Sequence, residues 1–434
     1  MPSVTTTPPH VHDALAQAHR TEWAFVLAAT VRAAGDLDLA EECAQEAYVA
    51  ALETWAREGV PARPGAWLTT TARNRAIDRL RREGTLRRKL PLLVEPVTAE
   101  AEDVAGGASA GEDAVPDDRL RLVFTCCHPA LPEEARVALT LRLVCGVPTP
   151  DVARAFLVPE ATMAARITRA KKKIEQARIP YRTPSRDELP ERLDSVLTAV
   201  HLLYSTGHTA PQGDELVRDE VCGAALQLAG TLVRLLPEQP EVRGLHGLLL
   251  LAHARRATRT DDRGRLLLLE DQDRSAWDRR ALLAGLAQTA AGLSTAHPGR
   301  FALQAAIAGV HAAAPSFEAT DWPRIVTLYD ALLRVWDSPV VALNRAVAVS
   351  FASGPEVALA LVEALDGDRR LAGYPYLPAT RADLLRRLGR DDEAAAAYRA
   401  ALALTANAAE REFLTARLAQ ADAPAVVTRS PTRP

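Results

Sequence analysis

The arginines of one segment are the side chains of this sequence whose spacing best suits a binding chemistry. Residues 64–83, PGAWLTTTARNRAIDRLRRE, hold five arginines between Arg73 and Arg82. Guanidinium groups pair readily with phosphate oxygens, so a row of them predicts a polyanionic partner. The alternative is an ordinary surface helix that its arginines keep soluble. The neighbouring segments bear on the choice between the two.

Apolar residues in the same segment predict the element that positions the arginines. One of them recurs at every fourth position from Leu68 to Leu80, the period of a helix with one buried face. Arg75, Arg79 and Arg82 then share another face of that helix. The single aspartate between them cannot neutralise the row. We therefore expect a helix with a basic face that follows a tryptophan, Trp67, and a glycine- and proline-containing loop.

Charge is distributed unevenly along the chain, although the formal net charge is only -3. Residues 73–89 are strongly basic, residues 90–118 contain acidic and no basic side chains, and residues 166–178 are again strongly basic. The acidic segment is also rich in alanine, glycine and proline, which favours a flexible linker. Two basic segments joined by an acidic one predict two surfaces that bind the same polyanion.

The second basic segment lies in a predicted helix-turn-helix. A short amphipathic helix follows Pro148, Pro159 then disfavours helix at Val158, and a longer helix begins at Glu160. Met163, Ile167 and Ala170 would face inward. The second helix of such a motif enters the DNA major groove. The side chains expected on its outer surface are Thr162, Arg166, Arg169, Lys172 and Lys173. A helical hairpin with a solvated basic end is the alternative.

Composition indicates a helical protein of several domains. The chain has 434 residues, 25% of them charged and 48% hydrophobic, which suits two to four globular domains. Few segments alternate with the period of a strand, so the expected fold class is all-α. No apolar run approaches the roughly 20 residues that cross a bilayer, and the first residues lack the features of a signal peptide. We expect a cytoplasmic protein with no membrane partner.

The sequence offers little support for a metal site, a cofactor or an enzyme. The five cysteines show no paired spacing, and the adjacent pair in Cys126-Cys127-His128 cannot easily bind one tetrahedral zinc ion. The acidic group in EDQDRSAWDR, residues 270–279, suits helix capping better than acid–base chemistry. Neither an HExxH motif nor a phosphate-binding glycine loop is present. We expect no catalytic residues, no metal and no cofactor.

The last part of the chain carries a repeat signal. Gly354 and Gly389 each stand between two amphipathic segments and are 35 residues apart, close to the tetratricopeptide period. In the second copy, Ala394, Tyr398 and Ala401 occupy positions that would pack its two helices together. Alanine- and leucine-rich helical hairpins can imitate this pattern. We expect a tetratricopeptide-like helical array over residues 181–425.

Residues 12–180 resemble the extracytoplasmic-function branch of bacterial RNA polymerase sigma factors. GDLDLAEECAQEAYVAALETW, residues 35–55, is similar to the helix of region 2 that binds the clamp coiled coil of core RNA polymerase. Carried over by position, the core-binding residues are Glu42, Gln45 and Glu46, although the family usually has Asp at the first. Residues 64–83 are similar to the promoter-melting and minus-ten helix. Residues 119–179 are similar to region 4, which reads the minus-thirty-five element.

The resemblance implies partners and residue roles. The partners are promoter DNA and core RNA polymerase, contacted at its clamp coiled coil and flap, with the acidic linker in the basic RNA-exit path. The domains are region 2 over residues 12–89, the linker over 90–118 and region 4 over 119–180. The residues implied to bind minus-ten DNA are Arg63, Trp67, Arg73, Asn74, Arg75, Arg79 and Arg82. Those implied to bind minus-thirty-five DNA are Thr162, Arg166, Arg169, Lys172 and Lys173.

The C-terminal residues resemble the long extension of one sigma subgroup, in segments such as SPVVALNRAVAV, residues 338–349. We expect this helical array to be the regulatory part, which either restrains the DNA-binding domains or docks to polymerase or to a signalling protein. The function expected overall is promoter-specific transcription initiation, modulated by this extension. The alternative is a one-component helix-turn-helix regulator with a helical sensing domain. The alternative leaves residues 35–55 without a role.

Overall fold

The computed structural model describes residues 8–89, 118–156, 158–209 and 217–422. The chain divides into two compact units, Met1–Ala199 and Val200–Pro434. Within the described residues every regular element is a helix, and the only bridge of β type is an isolated antiparallel pair, Thr260 with Leu266. The all-α prediction is therefore confirmed. Most of the predicted acidic linker, residues 90–117, lies outside the described residues.

Three helices at the start of the first unit pack around a common core. Their bounds are α1 Pro9–Ala34, α2 Leu37–Glu58 and α3 Pro64–Lys89. The breaks fall at glycines: Gly35 ends α1 with φ 69° and Gly59 follows α2 with φ 84°, conformations that glycine adopts without steric cost. The Asp36 carboxylate caps α2 by accepting from the Leu39 amide at 2.6 Å.

The apolar stripe of α3 is buried as predicted over most of its length. Leu68, Ala72 and Ala76 are fully buried, whereas Leu80 is 38% exposed. The ion pair between Arg79 and Glu42 places this part of α3 beside the first turns of α2. Leu80 is the last residue of the stripe, and the buried part of the stripe ends before it.

The remaining helices of the first unit form the region in which the helix-turn-helix was predicted. Their bounds are α4 Asp118–Cys126, α5 Glu133–Leu139, α6 Thr149–Phe156 and α7 Glu160–Gln176, and the division between the two units falls within α8 Leu189–His208. A π-helical turn, Thr140–Val144, continues α5. Helices α6 and α7 have the predicted order. Met163, Ile167 and Ala170 are buried, which confirms the predicted inner face of α7.

The second unit is an array of helices that pack mainly against their neighbours in sequence. After α8 these are α9 Asp219–Leu235, α10 Pro240–Ala254, α11 Arg279–Leu293, α12 Arg300–Ala313, α13 Trp322–Val335, α14 Pro339–Ala352, α15 Pro355–Glu363, α16 Tyr376–Arg387, α17 Asp391–Leu404 and α18 Ala408–Ala421. No helix among the described residues is long and apolar enough to cross a membrane.

Both glycines of the repeat signal lie between two helices. Gly354, with φ 100°, precedes α15, and Gly389, with φ 71°, separates α16 from α17. Ala394, Tyr398 and Ala401 are buried in the core formed by these helices, as the pattern predicts. The helical hairpins are thus confirmed. The likeness to tetratricopeptide repeats stays a prediction.

Buried histidines in the second unit should make it sensitive to acid. Burial, with a smaller effect of Arg300, lowers the pKa of His201 to about 4. The unfolded chain binds a proton at this residue below about pH 6.5 while the folded chain does not, so stability falls as pH drops from 6.5 towards 4. We expect urea unfolding to show that His201→Gln removes about 1–2 kcal/mol of the stability difference between pH 7 and pH 5.

The matched control is His297→Gln, because His297 is exposed after α11. It should leave the pH dependence of unfolding unchanged. An equal pH dependence in the wild type and in His201→Gln would show that His201 does not contribute.

Candidate nucleic-acid interface

The residues implied to bind core polymerase share one face of α2. Glu42 and Gln45 are exposed and Glu46 is partly exposed. The Gln45 amide donates to the buried Glu41 carboxylate at 3.2 Å, which holds its side chain along the helix. The same face continues to Val49, one turn further on and 60% exposed. Sequence reasoning did not select Val49. The signal available in the sequence was its spacing: Val49 follows Gln45 by four residues, which places an apolar residue on the same helix face.

Two of the implied DNA-binding arginines contact this acidic face instead of standing free. Arg75 Nη1 lies 2.8 Å from Glu46 Oε2, and Arg79 pairs with Glu46 and, at 2.6 Å, with Glu42 Oε2. Hydrogen bonding to Glu42 raises the pKa of the Arg79 guanidinium. The structure thus joins two sets of residues to which separate partners were assigned. Arg75 and Arg79 hold α3 against α2 in this arrangement.

A different part of α3 and of its preceding loop presents free polar surface. The implied minus-ten residues that are exposed are Arg63, Arg73, Asn74 and Arg82. Trp67 is partly buried, and its ring meets the buried Trp55 ring edge-on at 5.7 Å between centroids. Trp67 therefore fixes the start of α3 beside α2 while part of its side chain remains accessible. A positively charged, exposed surface with an aromatic ring at its edge suits a single nucleic-acid strand.

The outer side of α7 is exposed at four of the five implied minus-thirty-five residues, namely Thr162, Arg169, Lys172 and Lys173. The exception is Arg166, which pairs with Glu134 at 3.1 Å and lies over the Phe156 ring at 5.7 Å. Arg166 thus ties α7 to α5 and α6 and stands at the edge of the exposed face. Thr162 in the first turn and Arg169 two turns later are well placed for groove and backbone contacts.

The remaining lysine of α7 belongs to a buried ionic junction that sequence reasoning missed. Lys171 Nζ lies 2.6 Å from both Glu41 Oε2 and Asp38 Oδ1 of α2. Glu41 also pairs with Arg142 of the π-helical turn. The side chains of Glu41, Lys171 and Arg142 are only 10%, 9% and 16% exposed. Helix α2 is therefore bound to the helix-turn-helix region by charges shielded from water.

A second contact joins α1 to the same region. The Trp23 indole donates to the Leu143 carbonyl at 3.0 Å, an oxygen that lies in the π-helical turn. Gly146, with φ 72°, lies so close that a Cβ there would stand 2.8 Å from the Trp23 ring. The Tyr181 hydroxyl donates to the Ala28 carbonyl at 3.0 Å. The first unit therefore holds both predicted DNA-binding surfaces in one compact arrangement.

The residues that could suggest metal or acid–base chemistry have structural roles, in the core or as helix caps. Cys126 and Cys127 are buried, and burial raises the pKa of the Cys127 thiol to about 11. Asp273 accepts from the Ser275 amide at 2.8 Å, and Asp278 from the Ala281 amide at 3.0 Å, which confirms capping in residues 270–279. The described residues contain no group of three or more potential metal ligands.

Comparison with known proteins shows the family. Residues 22–85 match sigma-70 region 2, residues 121–174 match sigma-70 region 4, and residues 192–293 match a family of unknown function, DUF6596. No solved structure matches the chain. The region 2 match covers α2 and most of α3, and the region 4 match covers most of α7.

Two relatives extend these matches. An uncharacterized protein of Rhizobium meliloti is 44% identical over 394 residues, which are 90% of this chain and 92% of the relative. The RNA polymerase sigma-H factor of Pseudomonas aeruginosa is 31% identical over 161 residues, which are 36% of this chain and 81% of that protein. The chain therefore belongs to the sigma-70 family of RNA polymerase sigma factors.

Proposed function

We propose that this sigma factor is of the extracytoplasmic-function type, binds core polymerase through α2, and binds promoter DNA through α3 and α7. The observation that carries the proposal is the exposed face of α2, with Glu42, Gln45 and Val49 in consecutive turns. A helix that leaves polar and apolar residues uncovered side by side fits a protein partner. The one-component alternative gives this face no role.

The core-binding residues act as a set in the proposal. Glu42 and Glu46 supply negative charge, Gln45 supplies an amide, and Val49 supplies apolar contact. Arg75 and Arg79 hold the two glutamates in position from the neighbouring helix. Ionic pre-organisation of this kind reduces the side-chain entropy lost on binding. The clamp coiled coil of core polymerase is the proposed partner surface, and the flap is the proposed partner of the helix-turn-helix.

Promoter binding requires the first unit to open. The minus-ten and minus-thirty-five elements are separated by about 25 base pairs, or about 85 Å at 3.4 Å per base pair. The ionic junction of Glu41 with Lys171 instead holds α2 and α7 in contact. Residues 90–117 would span on the order of 90–100 Å if fully extended. We propose that core polymerase separates the two surfaces and that this segment bridges them.

The test is transcription in vitro from sheared genomic DNA, with sequencing of transcript 5′ ends. Core polymerase with the chain should produce a discrete set of start sites that core polymerase alone does not. Promoter fragments found in this way are then used in gel shifts with and without core. Tight, specific binding by the chain alone, unchanged by core, would favour the one-component regulator and contradict the proposal.

Arg169 is the residue of α7 whose loss should most simply report on promoter contact. It is exposed, unlike Arg166. We expect Arg169→Ala to weaken promoter binding by the reconstituted holoenzyme about 5- to 100-fold, and to lower the salt dependence by about one ion if the contact is to phosphate. Gel shifts at several salt concentrations measure both. Arg186→Ala, which removes an exposed arginine outside α7, is the control and should bind as the wild type does.

The proposed role of the second unit is to modulate initiation, and a signalling protein is its proposed partner. The support is its size and its array of helical hairpins, an architecture with extended binding surfaces. The first part of α8 packs on the first unit, since Arg192 donates to the Phe124 carbonyl at 2.6 Å and Arg136 to Ser195 at 2.9 Å. A truncated chain should therefore end at Ala199. Transcript levels equal to those of the full chain at every promoter would contradict modulation.

A further inference from the structure

Two adjoining cavities lie within the second unit. The smaller, about 460 Å³, is lined by Arg255, Gln304 and Trp277 among others, and the larger measures about 620 Å³. Both are bordered by Leu269, His311, Tyr329 and Asn344, so they share a wall. Volumes in this range are typical of sites that bind small organic molecules.

Hydrogen bonds that do not involve Arg255 hold the walls of the smaller cavity in place. The Trp277 indole donates to Thr258 Oγ1 at 3.0 Å, and its ring carries the Arg274 guanidinium at 4.8 Å. Arg274 in turn donates to the carbonyls of His311 and Ala314, at 2.6 and 2.8 Å. The cavity is therefore framed by fixed contacts within the segment joining α10 to α11 and between that segment and the end of α12.

Arg255 is a charge without a partner among the described residues around this cavity. Its guanidinium has no hydrogen bond or ion pair to any residue that the structure describes, and no described residue lining the smaller cavity is Asp or Glu. Burial, together with the nearby Arg259 and Arg274, lowers the pKa of Arg255 to about 10. A partly buried cation beside other cations is unfavourable unless an anion neutralises it.

The arginines that line the larger cavity differ from Arg255, because they have partners within the protein. Arg386 pairs with Asp383 at 2.8 Å, and Arg387 donates twice to Ser350, at 2.8 and 3.0 Å. The donors of these guanidinium groups are thus used in bonds within the protein. Arg417, the third arginine of the larger cavity, donates to Gln420 at 3.3 Å and lies over the Phe413 ring. Arg255, by contrast, keeps its donors available for a ligand.

His311 adds a second unpartnered polar group between the cavities. Its Nδ1 is buried and has no hydrogen-bond partner among the described residues. Buried polar atoms without partners are rare, and they mark places where a ligand or a water completes the bonding. Burial, together with Arg255 and Arg274, lowers the pKa of His311 to about 4, so the ring is neutral near pH 7. A neutral imidazole can donate one hydrogen bond to an anion.

Aromatic side chains line the larger cavity next to His311. The Trp322 and Phe351 rings stack with centroids 4.4 Å apart, and Phe317 meets Trp322 edge-on at 5.2 Å. The His311 ring contacts Trp322 at 5.3 Å. An apolar aromatic compartment therefore continues from the polar end formed by Arg255 and His311.

We propose that these cavities bind a small organic anion, whose carboxylate or phosphate group pairs with Arg255 while its apolar body lies against Trp322 and Phe351. Arg255 supplies two parallel N–H donors, the geometry that carboxylate and phosphate oxygens accept. Asn344 and His311, on the shared wall, supply further hydrogen bonds. The site goes beyond the proposed function and does not rest on it, because binding is measured without polymerase or DNA.

Calorimetric titration of the full chain with matched probes tests the site. The probes are 3-phenylpropionate, its uncharged analogue 3-phenylpropionamide, octanoate and phenyl phosphate. We expect saturable binding of at least one anion, and affinity at least about tenfold lower for the amide than for 3-phenylpropionate if the latter binds. Preference between 3-phenylpropionate and phenyl phosphate, which share a phenyl ring, separates a carboxylate ligand from a phosphate ester. No binding of any anion up to about 10 mM would overturn the proposal.

Substitutions in the smaller cavity test whether the anion binds there. Arg255→Gln should weaken binding of the preferred anion at least about tenfold, whereas Arg279→Gln, which changes an exposed arginine at the start of α11, should not. Ala308→Phe fills the smaller cavity and should also abolish binding. Because Arg255 has no partner among the residues that the structure describes, Arg255→Gln should unfold in urea at the same or a higher concentration than the wild type. Unchanged anion affinity in Arg255→Gln and Ala308→Phe would place the ligand elsewhere and overturn the proposal.

Discussion

Replacement of Glu41 by alanine is expected to lower the free energy of unfolding of the first unit by about 3–5 kcal/mol. The Glu41 carboxylate lies between Lys171, at 2.6 Å, and Arg142. Both cations have side chains less than one-fifth exposed. Removing the carboxylate leaves them buried with less compensation, which costs far more than loss of a surface ion pair. Lys171 would keep only its contact with the exposed Asp38.

Urea unfolding of the full chain, followed by circular dichroism, measures this effect. Glu53→Ala is the matched control, because Glu53 lies on the same helix and is exposed. Its free energy of unfolding should stay within about 0.5 kcal/mol of that of the wild type. Glu41→Gln should fall between the two, since an amide oxygen still accepts from Lys171 but carries no charge. A wild-type midpoint in Glu41→Ala would show that α2 and α7 do not stabilise each other.

The buried junction also illustrates what sequence could and could not predict. Helices α3, α6 and α7 follow from apolar periodicity and from glycine and proline positions, which are local signals. Lys171 follows Ala170 in a run of three lysines, and its neighbours Lys172 and Lys173 are exposed as expected. Its partner Glu41 is 130 residues away. Pairing over such a separation depends on tertiary packing and leaves no mark on local spacing.

The arginines of α3 show the same limit within a shorter distance. Sequence placed Arg75, Arg79 and Arg82 on one helix face, and it assigned the face to DNA phosphates by resemblance. The three arginines do lie on one face of α3. Because α2 packs beside part of that face, Arg75 and Arg79 pair with Glu46, while Arg82 remains exposed. A helical period tells which residues share a side. It does not tell which neighbouring helix covers that side.

This packing changes how the core-binding face has to be tested. A Glu46 substitution would unpair Arg75 and Arg79 as well as remove a contact to polymerase, so lost activity would have two causes. Gln45 and Val49 are exposed and lie on the same face of α2. Substituting them changes the implied interface without breaking an ion pair. The double variant Gln45→Arg/Val49→Arg is therefore the sharper probe.

We expect Gln45→Arg/Val49→Arg to weaken binding to core polymerase about 100-fold or more and to abolish promoter-specific transcripts at limiting concentrations. The two added arginines make the face net positive, because Glu42 and Glu46 are already paired with arginines of α3. Central interface residues cost about 2–4 kcal/mol each when lost. Arginine is a better helix former than valine, so α2 should remain intact. Fluorescence anisotropy of labelled chain titrated with core measures the affinity.

The control for added charge is Ala16→Arg, which places an arginine at an exposed position of α1. It should bind core as the wild type does. The double variant should also unfold close to the wild-type urea midpoint, because both positions are exposed and the Gln45 side chain gives up one hydrogen bond, to Glu41, whose ion pairs remain. Normal core affinity in a folded Gln45→Arg/Val49→Arg variant would move the polymerase contact away from α2. In that case the exposed apolar Val49 would need another partner, and the pairing of Glu42 and Glu46 with the arginines of α3 would be purely structural.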